Sequence, residues 1–328
     1  MRRTLPLLLL VVALGCDGSI RRDLIALLES APAPAAAPCA DREARLARLE
    51  PVRALVARAY PARTKFDDPL PAALQTQLME TPLTATTVDD WRCLMGDLQG
   101  FDPKKEPNYA VGLGTLAALF FDKGTALLAA NKPAEGWEHV LQGLRLYARP
   151  TAFSYIYFLG AQYFLERTRG LFSRHVTSSA VTKRLDAVRT DATMSQEAFC
   201  QGVNEELLAH GVSLYFGHFA AEKPRLAARW GPAAVAHLDA EWGRNNRPGV
   251  KAWSAYAEVI RVVRRECAAS SLQTAEQRAR AAGARLPVRS HAGLLEFTWQ
   301  RFGHYHELRE ISGTLEYAIH RWYGPERE

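Results

Sequence analysis

The chain has 328 residues, of which 48% are hydrophobic and 23% charged, an ordinary balance for a globular protein. Its formal net charge of +6 is mild, so the composition does not indicate a nucleic-acid partner. The length suffices for one large domain, or two smaller ones, with a sizeable hydrophobic core.

The N-terminus has the pattern of a secretion signal. Arg2 and Arg3 precede an apolar run from Leu5 to Leu14, and Gly15-Cys16 follows. The run is too short to cross a bilayer, which needs about 20 apolar residues, but its length is typical of a signal peptide. We therefore predict that residues 1–15 are a signal peptide.

The set Ala13-Leu14-Gly15-Cys16 resembles the lipobox of bacterial lipoproteins, although Ala13 stands where leucine is commoner. The resemblance implies cleavage before Cys16, diacylation of its sulfur and acylation of the new amino group. Such an anchor would hold the protein on a membrane, because each buried methylene contributes about 0.8 kcal/mol. The alternative is an ordinary secretory peptide cut after Ala13, with Cys16 incidental.

The lipoprotein interpretation places the protein on a cell membrane, facing the periplasm. Asp17, directly after the cysteine, favours retention in the inner membrane in enteric bacteria. That preference varies among bacteria, so inner and outer membrane both stay open.

A short amphipathic helix is predicted next, with Ser19 as a possible cap. Its apolar face could lie in the membrane interface beside the acyl chains, or dock on the folded body. Residues 31–38 are a Pro/Ala spacer. We assign 16–38 to the lipidated cysteine, this helix and a linker, and 39–328 to the body, with a possible sub-boundary near 223–248. The apolar face consists of Ile20, Leu24, Leu27 and Leu28.

Four cysteines remain when Cys16 is assigned to lipid, an even number in an oxidising compartment. Four cysteines allow three pairings, and neighbours along the chain close the shortest loops, which favours pairing Cys39 with Cys93 and Cys200 with Cys267. The alternative is that all four are buried free thiols.

Helical spacing of apolar residues dominates the rest of the chain, and no convincing alternating strand pattern occurs. We predict an all-α fold, either an array of helical hairpins or an irregular helical bundle. Pro51 predicts a kink or restart within the first long helix. The predicted helices cover about 42–60, one starting near 88, 108–130, 133–150, 151–175, 179–189, 196–220, 232–242, 249–269 and 291–323.

One hairpin, residues 117–150, resembles a tetratricopeptide repeat. Phe120, Gly124, Leu127, Gly136 and Val140 stand at the repeat's spacing. The two glycines would lack side chains where two antiparallel helices approach closely. The resemblance implies a helical solenoid, and the irregular bundle stays the alternative.

Familiar catalytic motifs are missing from the sequence: zinc-peptidase HExxH, the GxSxG elbow, the P-loop, the dinucleotide-binding GxGxxG and the ExxH of di-iron bundles. Two Glu–His pairs remain on the last predicted helix, His306 with Glu310 and Glu316 with His320. A carboxylate-held imidazole suits general-base catalysis or metal ligation. The same i,i+4 spacing is typical of solvated helix pairs, which is what we expect here.

A basic face within RVVRREC, residues 261–267, could hold phosphate, but we expect it to be solvated.

Together these features favour a lipid-anchored helical interaction or scaffold module that binds another envelope protein. We predict no cofactor, no metal and no nucleic acid. The alternatives are an envelope hydrolase or metal-dependent enzyme that uses the four His/Glu residues, and a toxin or effector with its active part at the C-terminus.

Overall fold

A computed structural model describes residues 20–30, 38–62, 65, 68–97, 99–100, 102, 109–148, 154–175, 177–215, 219–236, 250–284 and 288–323. Within these ranges all regular secondary structure is helical, which confirms the predicted all-α fold. The lipobox-like residues and most of the Pro/Ala spacer lie outside the described residues.

The described helices are α1 (20–29), α2 (Arg42–Ala59), α3 (Ala72–Glu80), α4 (Ala85–Gly96), α5 (Tyr109–Ala129), α6 (Pro133–Arg145), α7 (Ser154–Phe172), α8 (Ser179–Thr193), α9 (Gln196–Tyr215), α10 (Lys223–Trp230), α11 (232–236), α12 (Val250–Ala269), α13 (Leu272–Gly283) and α14 (Val288–Tyr323). A 3₁₀ turn, Ala220–Glu222, precedes α10.

Three of these helices differ from the predicted elements. α2 continues through Pro51 without a restart. The carbonyl that Pro51 cannot bond belongs to Ala47, and both residues are exposed, so water can satisfy it. α10 lies between the helices predicted over 196–220 and 232–242, and begins there because a proline in the first turn favours a helix. α3 was not predicted.

The chain divides into two compact units, each built from two segments. Unit 1 comprises Met1–Ala35 and Gln196–Phe302, and unit 2 comprises Ala36–Ser195 and Gly303–Glu328. This division differs from the predicted boundaries in two places. α1 is grouped with unit 1, although the predicted body begins at residue 39. The segments on both sides of residues 223–248 are grouped in the same unit.

Unit 1 contains α1, α9–α13 and the part of α14 up to Phe302, where Trp299 and Phe302 are buried. Cys200 of α9 and Cys267 of α12 lie at disulfide distance, with 2.03 Å between their sulfur atoms. The Tyr256 hydroxyl donates a 2.8 Å hydrogen bond to the Leu207 carbonyl, which adds a second link between α12 and α9. Segments on both sides of residues 223–248 are thus joined in one core.

Unit 2 contains α2–α8 and the rest of α14. Cys39 and Cys93 have their sulfur atoms 2.05 Å apart. Asp90 is almost fully buried and accepts hydrogen bonds from Arg45 and Arg48. Burial by itself raises the pKa of Asp90, but the two arginines outweigh it and hold that pKa below its ordinary value. The carboxylate therefore ties α4 to α2.

The α5–α6 hairpin has the close crossing that its glycines predict. A Cβ atom on Gly124 would lie 2.8 Å from the Gly136 carbonyl oxygen, and one on Gly136 would lie 2.9 Å from the Gly124 oxygen. Those distances are too short for a real side chain, so only glycine permits this approach. The hairpin is confirmed, whereas the tetratricopeptide solenoid beyond it stays a prediction.

Among the described residues, one window is long and apolar enough to cross a membrane by length and composition. It is Gly112–Ala129 of α5, with a mean hydropathy of 1.2, and 72% of it is buried inside the structure. A core helix passes the same test, so this window carries little information about membranes.

Candidate functional site

The two Glu–His pairs of α14 lie apart from each other. His306 and Glu310 are exposed, and His320 is also exposed, with its Nε2 atom 4.0 Å from Glu316. His306 and His320 are fourteen residues apart on one continuous helix, a distance of about 21 Å along its axis. The two pairs are therefore separate features and do not converge on one pocket.

Neighbouring elements also engage these residues. Arg189 of α8 places its Nη1 atom 3.3 Å from Glu316 and donates to the Ser312 hydroxyl at 2.8 Å. Glu316 thus belongs to an ion-pair network that ties α14 to α8. In the part of the chain that the structure describes, no group of three or more His, Cys, Asp or Glu side chains could hold a metal ion.

The cysteines pair as the loop-closure argument predicts, Cys39 with Cys93 in unit 2 and Cys200 with Cys267 in unit 1. Each unit therefore has one covalent link of its own. Cys16, the predicted lipidation site, lies outside the described residues.

Unit 1 also contains a pocket between α1 and α12, with a volume of about 310 Å³. Three of its six lining side chains are arginines and none is acidic. The pocket is lined by Ala26, Leu27, Ser30, Arg261, Arg264 and Arg265.

α1 forms one wall of this pocket because its apolar face is buried in unit 1. Its four apolar side chains, Ile20, Leu24, Leu27 and Leu28, are each at most 6% exposed. The choice between membrane interface and folded body is thus resolved in favour of the body for this face. Burying a leucine contributes about 1.5–3 kcal/mol, so the face is a substantial source of binding energy.

Ion pairs around the apolar face fix the position of α1. Asp23 pairs with Arg261 at 2.9 Å, and Glu29 pairs with Arg225 of α10 at 3.2 Å. Arg21 donates to the buried carboxylate of Glu222 at 2.5 Å. Charges of both signs on α1 therefore meet opposite charges of unit 1.

Two arginines bind the C-terminal end of α1, where backbone carbonyls lack helical partners. Arg264 donates from Nη1 to the Leu27 carbonyl at 3.1 Å and to the Ser30 hydroxyl at 2.5 Å. Arg229 donates to the Leu28 carbonyl at 3.4 Å. Positive charge at a helix C-terminus also interacts favourably with the helix dipole.

Arg264 differs from the other two arginines of the pocket in its burial and hydrogen bonding. It is half-buried, and its Nη2 atom is buried with no hydrogen-bond partner among the described residues. Burial lowers the pKa of its guanidinium from the ordinary value, chiefly because desolvation disfavours the charged form. The group nevertheless stays cationic near neutral pH, because the ordinary pKa of an arginine lies far above that range.

Arg261 and Arg265 lie closer to solvent. Arg261 pairs with Asp23 and, at 3.6 Å, with Glu258. Arg265 is 64% exposed and donates to Glu266 at 2.9 Å. The expectation that the whole basic face is solvated is therefore wrong for Arg264 and correct for Arg265.

Sequence reasoning named the basic face of residues 261–267 as a phosphate candidate but missed the pocket itself, because its other wall, α1, lies more than 200 residues away in the chain. The helical period identifies an apolar face on α1, but does not show what covers that face. Comparison of the chain with protein-family models, with curated proteins and with solved structures finds no match.

Proposed function

We propose that this protein is a lipoprotein anchored through acyl chains on Cys16 and facing the periplasm, and that its helical body acts as a binding module of the cell envelope. The observation that carries the proposal is the lipobox-like Ala13-Leu14-Gly15-Cys16 after an apolar run of signal-peptide length.

The position of α1 adds a geometric argument. Ile20, a buried residue of unit 1, is the fourth residue after Cys16. Four residues span at most about 14 Å, whatever their conformation. An acylated Cys16 would therefore hold unit 1 close to the membrane surface, with no long spacer between anchor and body.

The cysteine pairs agree with this location. Disulfides persist in the periplasm and are rare in the cytosol of mesophiles. Each unit has one such pair, Cys39 with Cys93 and Cys200 with Cys267. The pairing supports an export route.

The binding role is supported by the arginine-lined pocket in unit 1, at the end of α1 opposite the anchor attachment. The His/Glu pairs of α14 give less support to an enzyme, because they lie about 21 Å apart along the helix.

The anchor is tested by expressing the full chain in a bacterium and measuring its membrane fraction and N-terminal mass. We expect the wild type and the neighbouring control Ser19→Ala to carry acyl mass on Cys16 and to sediment with membranes. Cys16→Ser should carry none. A wild-type chain that is soluble, with an unmodified first residue, would contradict the anchor.

The binding role is tested by cross-linking in whole cells and identifying the proteins recovered. We expect a specific envelope protein with the wild type and Ser19→Ala, and its loss with Cys16→Ser. A tightly retained small molecule with no specific protein partner would contradict the role as a protein-binding module.

A further inference from the structure

The pocket between α1 and α12 has the chemistry of an anion site. It is bordered by three guanidinium groups and by no carboxylate among its lining residues. We propose that this pocket binds a phosphate group, supplied either by free phosphate or by a phospholipid headgroup. Arginine suits that ligand because its planar donors match phosphate oxygens.

The first argument is the unfilled donor of Arg264. Its Nη1 atom already bonds α1, but its Nη2 atom is buried and has no partner in the described part of the chain. A buried donor that is left unpaired is destabilising, and more so when it belongs to a charged group. A phosphate oxygen would supply the missing acceptor and a compensating negative charge.

The second argument is that Arg265 can turn to a ligand without leaving a buried charge behind. Its partner Glu266 is buried and also accepts hydrogen bonds from Arg278 and from the Ser270 hydroxyl. If Arg265 moves to a phosphate, Glu266 keeps those two donors. The exchange therefore leaves no unpaired carboxylate.

Arg261 can contribute in the same way. Its pair with Asp23 has side chains that are 40% and 36% exposed, and ion pairs this open contribute little to stability. Arg261 also lies 3.6 Å from Glu258, whose side chain is 45% exposed. A phosphate with two negative charges would compete with these two open carboxylates for the guanidinium.

The size and remaining lining agree with an esterified phosphate. The pocket volume of about 310 Å³ exceeds what a phosphate ion alone requires. Ala26 and Leu27 provide an apolar wall beside the arginines. A headgroup with a short apolar substituent would contact both. The lipid source rests on the proposed anchor, whereas free phosphate does not.

The test uses the full chain carrying Cys16→Ser, purified with both cysteine pairs oxidised, so that no acyl anchor contributes. Inorganic phosphate is titrated by calorimetry. We expect saturable binding that weakens about tenfold or more with Arg264→Gln, which is the loss of affinity expected when one hydrogen bond between charged groups is removed. Arg265→Gln, at an exposed position, should weaken binding about threefold.

The matched control is Arg280→Gln, which removes the same charge from α13, where Arg280 pairs with Glu276 outside the pocket. It should leave phosphate affinity within about twofold. Equal losses with Arg280→Gln and with the pocket variants would overturn the proposal, because they would indicate unspecific charge attraction. Because Arg264→Gln also removes a contact to α1, Arg265→Gln keeps the test valid if that variant folds poorly.

The source is distinguished with phosphatidylglycerol vesicles. Vesicle binding that Arg265→Gln lowers and inorganic phosphate competes away would identify a phospholipid headgroup. Saturable phosphate binding without vesicle binding would identify free phosphate. Absence of both would overturn the site and leave the Cys16 anchor, tested separately, untouched.

Discussion

Unit 1 and unit 2 differ in how far apart in sequence their packed helices lie. The best-defined crossing in unit 2 joins α5 to α6, which follow each other in sequence and touch through Gly124 and Gly136. Unit 1 instead takes α1 from the N-terminus and seats it on helices that come more than 190 residues later. Neighbouring helices need only small residues at the crossing, whereas a distant helix needs a complementary surface.

The two contacts also use different forces. The α5–α6 crossing brings backbone against backbone, which maximises van der Waals contact over a small area. The α1 contact buries four large apolar side chains and surrounds them with ion pairs, including those of Asp23 and Glu29. A ring of charges adds little energy but specifies position, because a shifted helix would leave its charges unmatched. Unit 1 thus depends on charge pattern as well as on shape.

The largest expected effect is the loss of stability when either cysteine pair is removed, and it should be confined to the unit that contains that pair. Replacing Cys39 and Cys93 with serine should lower the unfolding free energy of unit 2 by about 4 kcal/mol, and the same change at Cys200 and Cys267 should lower that of unit 1 similarly. The magnitudes agree because the sequence separations, 54 and 67, impose nearly the same loop entropy. Hydrogen exchange of peptides from each unit measures the two effects. Equal loss of protection in both units after either double replacement would contradict the division into units.

The next largest effect concerns the buried apolar face of α1. Leu24 is fully buried, so Leu24→Ala should lower the unfolding free energy of unit 1 by about 3 kcal/mol through lost transfer energy and a cavity. Urea unfolding measures the loss, and faster exchange in α12 peptides locates it. The control is Arg22→Ala on the exposed side of the same helix, which should change stability by less than about 0.5 kcal/mol. If Leu24→Ala behaves like Arg22→Ala, α1 is not part of the core.

The smallest effect is the change in stability when a glycine of unit 2 is replaced with alanine, and its sign should differ between Gly124 and Gly313. Gly124→Ala should destabilise by about 1–3 kcal/mol, because the new Cβ would lie 2.8 Å from the Gly136 oxygen. Gly313→Ala, in α14 with nothing within 4 Å of its Cβ position, should stabilise by about 0.5–1 kcal/mol. Thermal unfolding of both variants measures the difference. A stabilising Gly124→Ala would show that the α5–α6 crossing is looser than the structure describes.

Particular residues show where sequence reasoning was sufficient. Gly124 and Gly136 predicted the close crossing of α5 and α6, because helical spacing and the lack of a side chain can both be recognised from the local sequence. The cysteine pairing followed from loop length, which is also read along the chain. No helix is predicted around Pro224, yet α10 begins there, because proline in a first turn is compatible with the start of a helix.

The sequence by itself determined the all-α class, the α5–α6 crossing and the cysteine pairing, because each depends on spacing along one chain. It also contained the apolar face of α1, but a hydrophobic stripe is equally suited to lipid and to protein. Only the tertiary structure decided that unit 1 covers this face and that Arg264 lines a pocket beside it. Burial and charge compensation are properties of surfaces that meet in space, and the residues that meet here are over 200 positions apart.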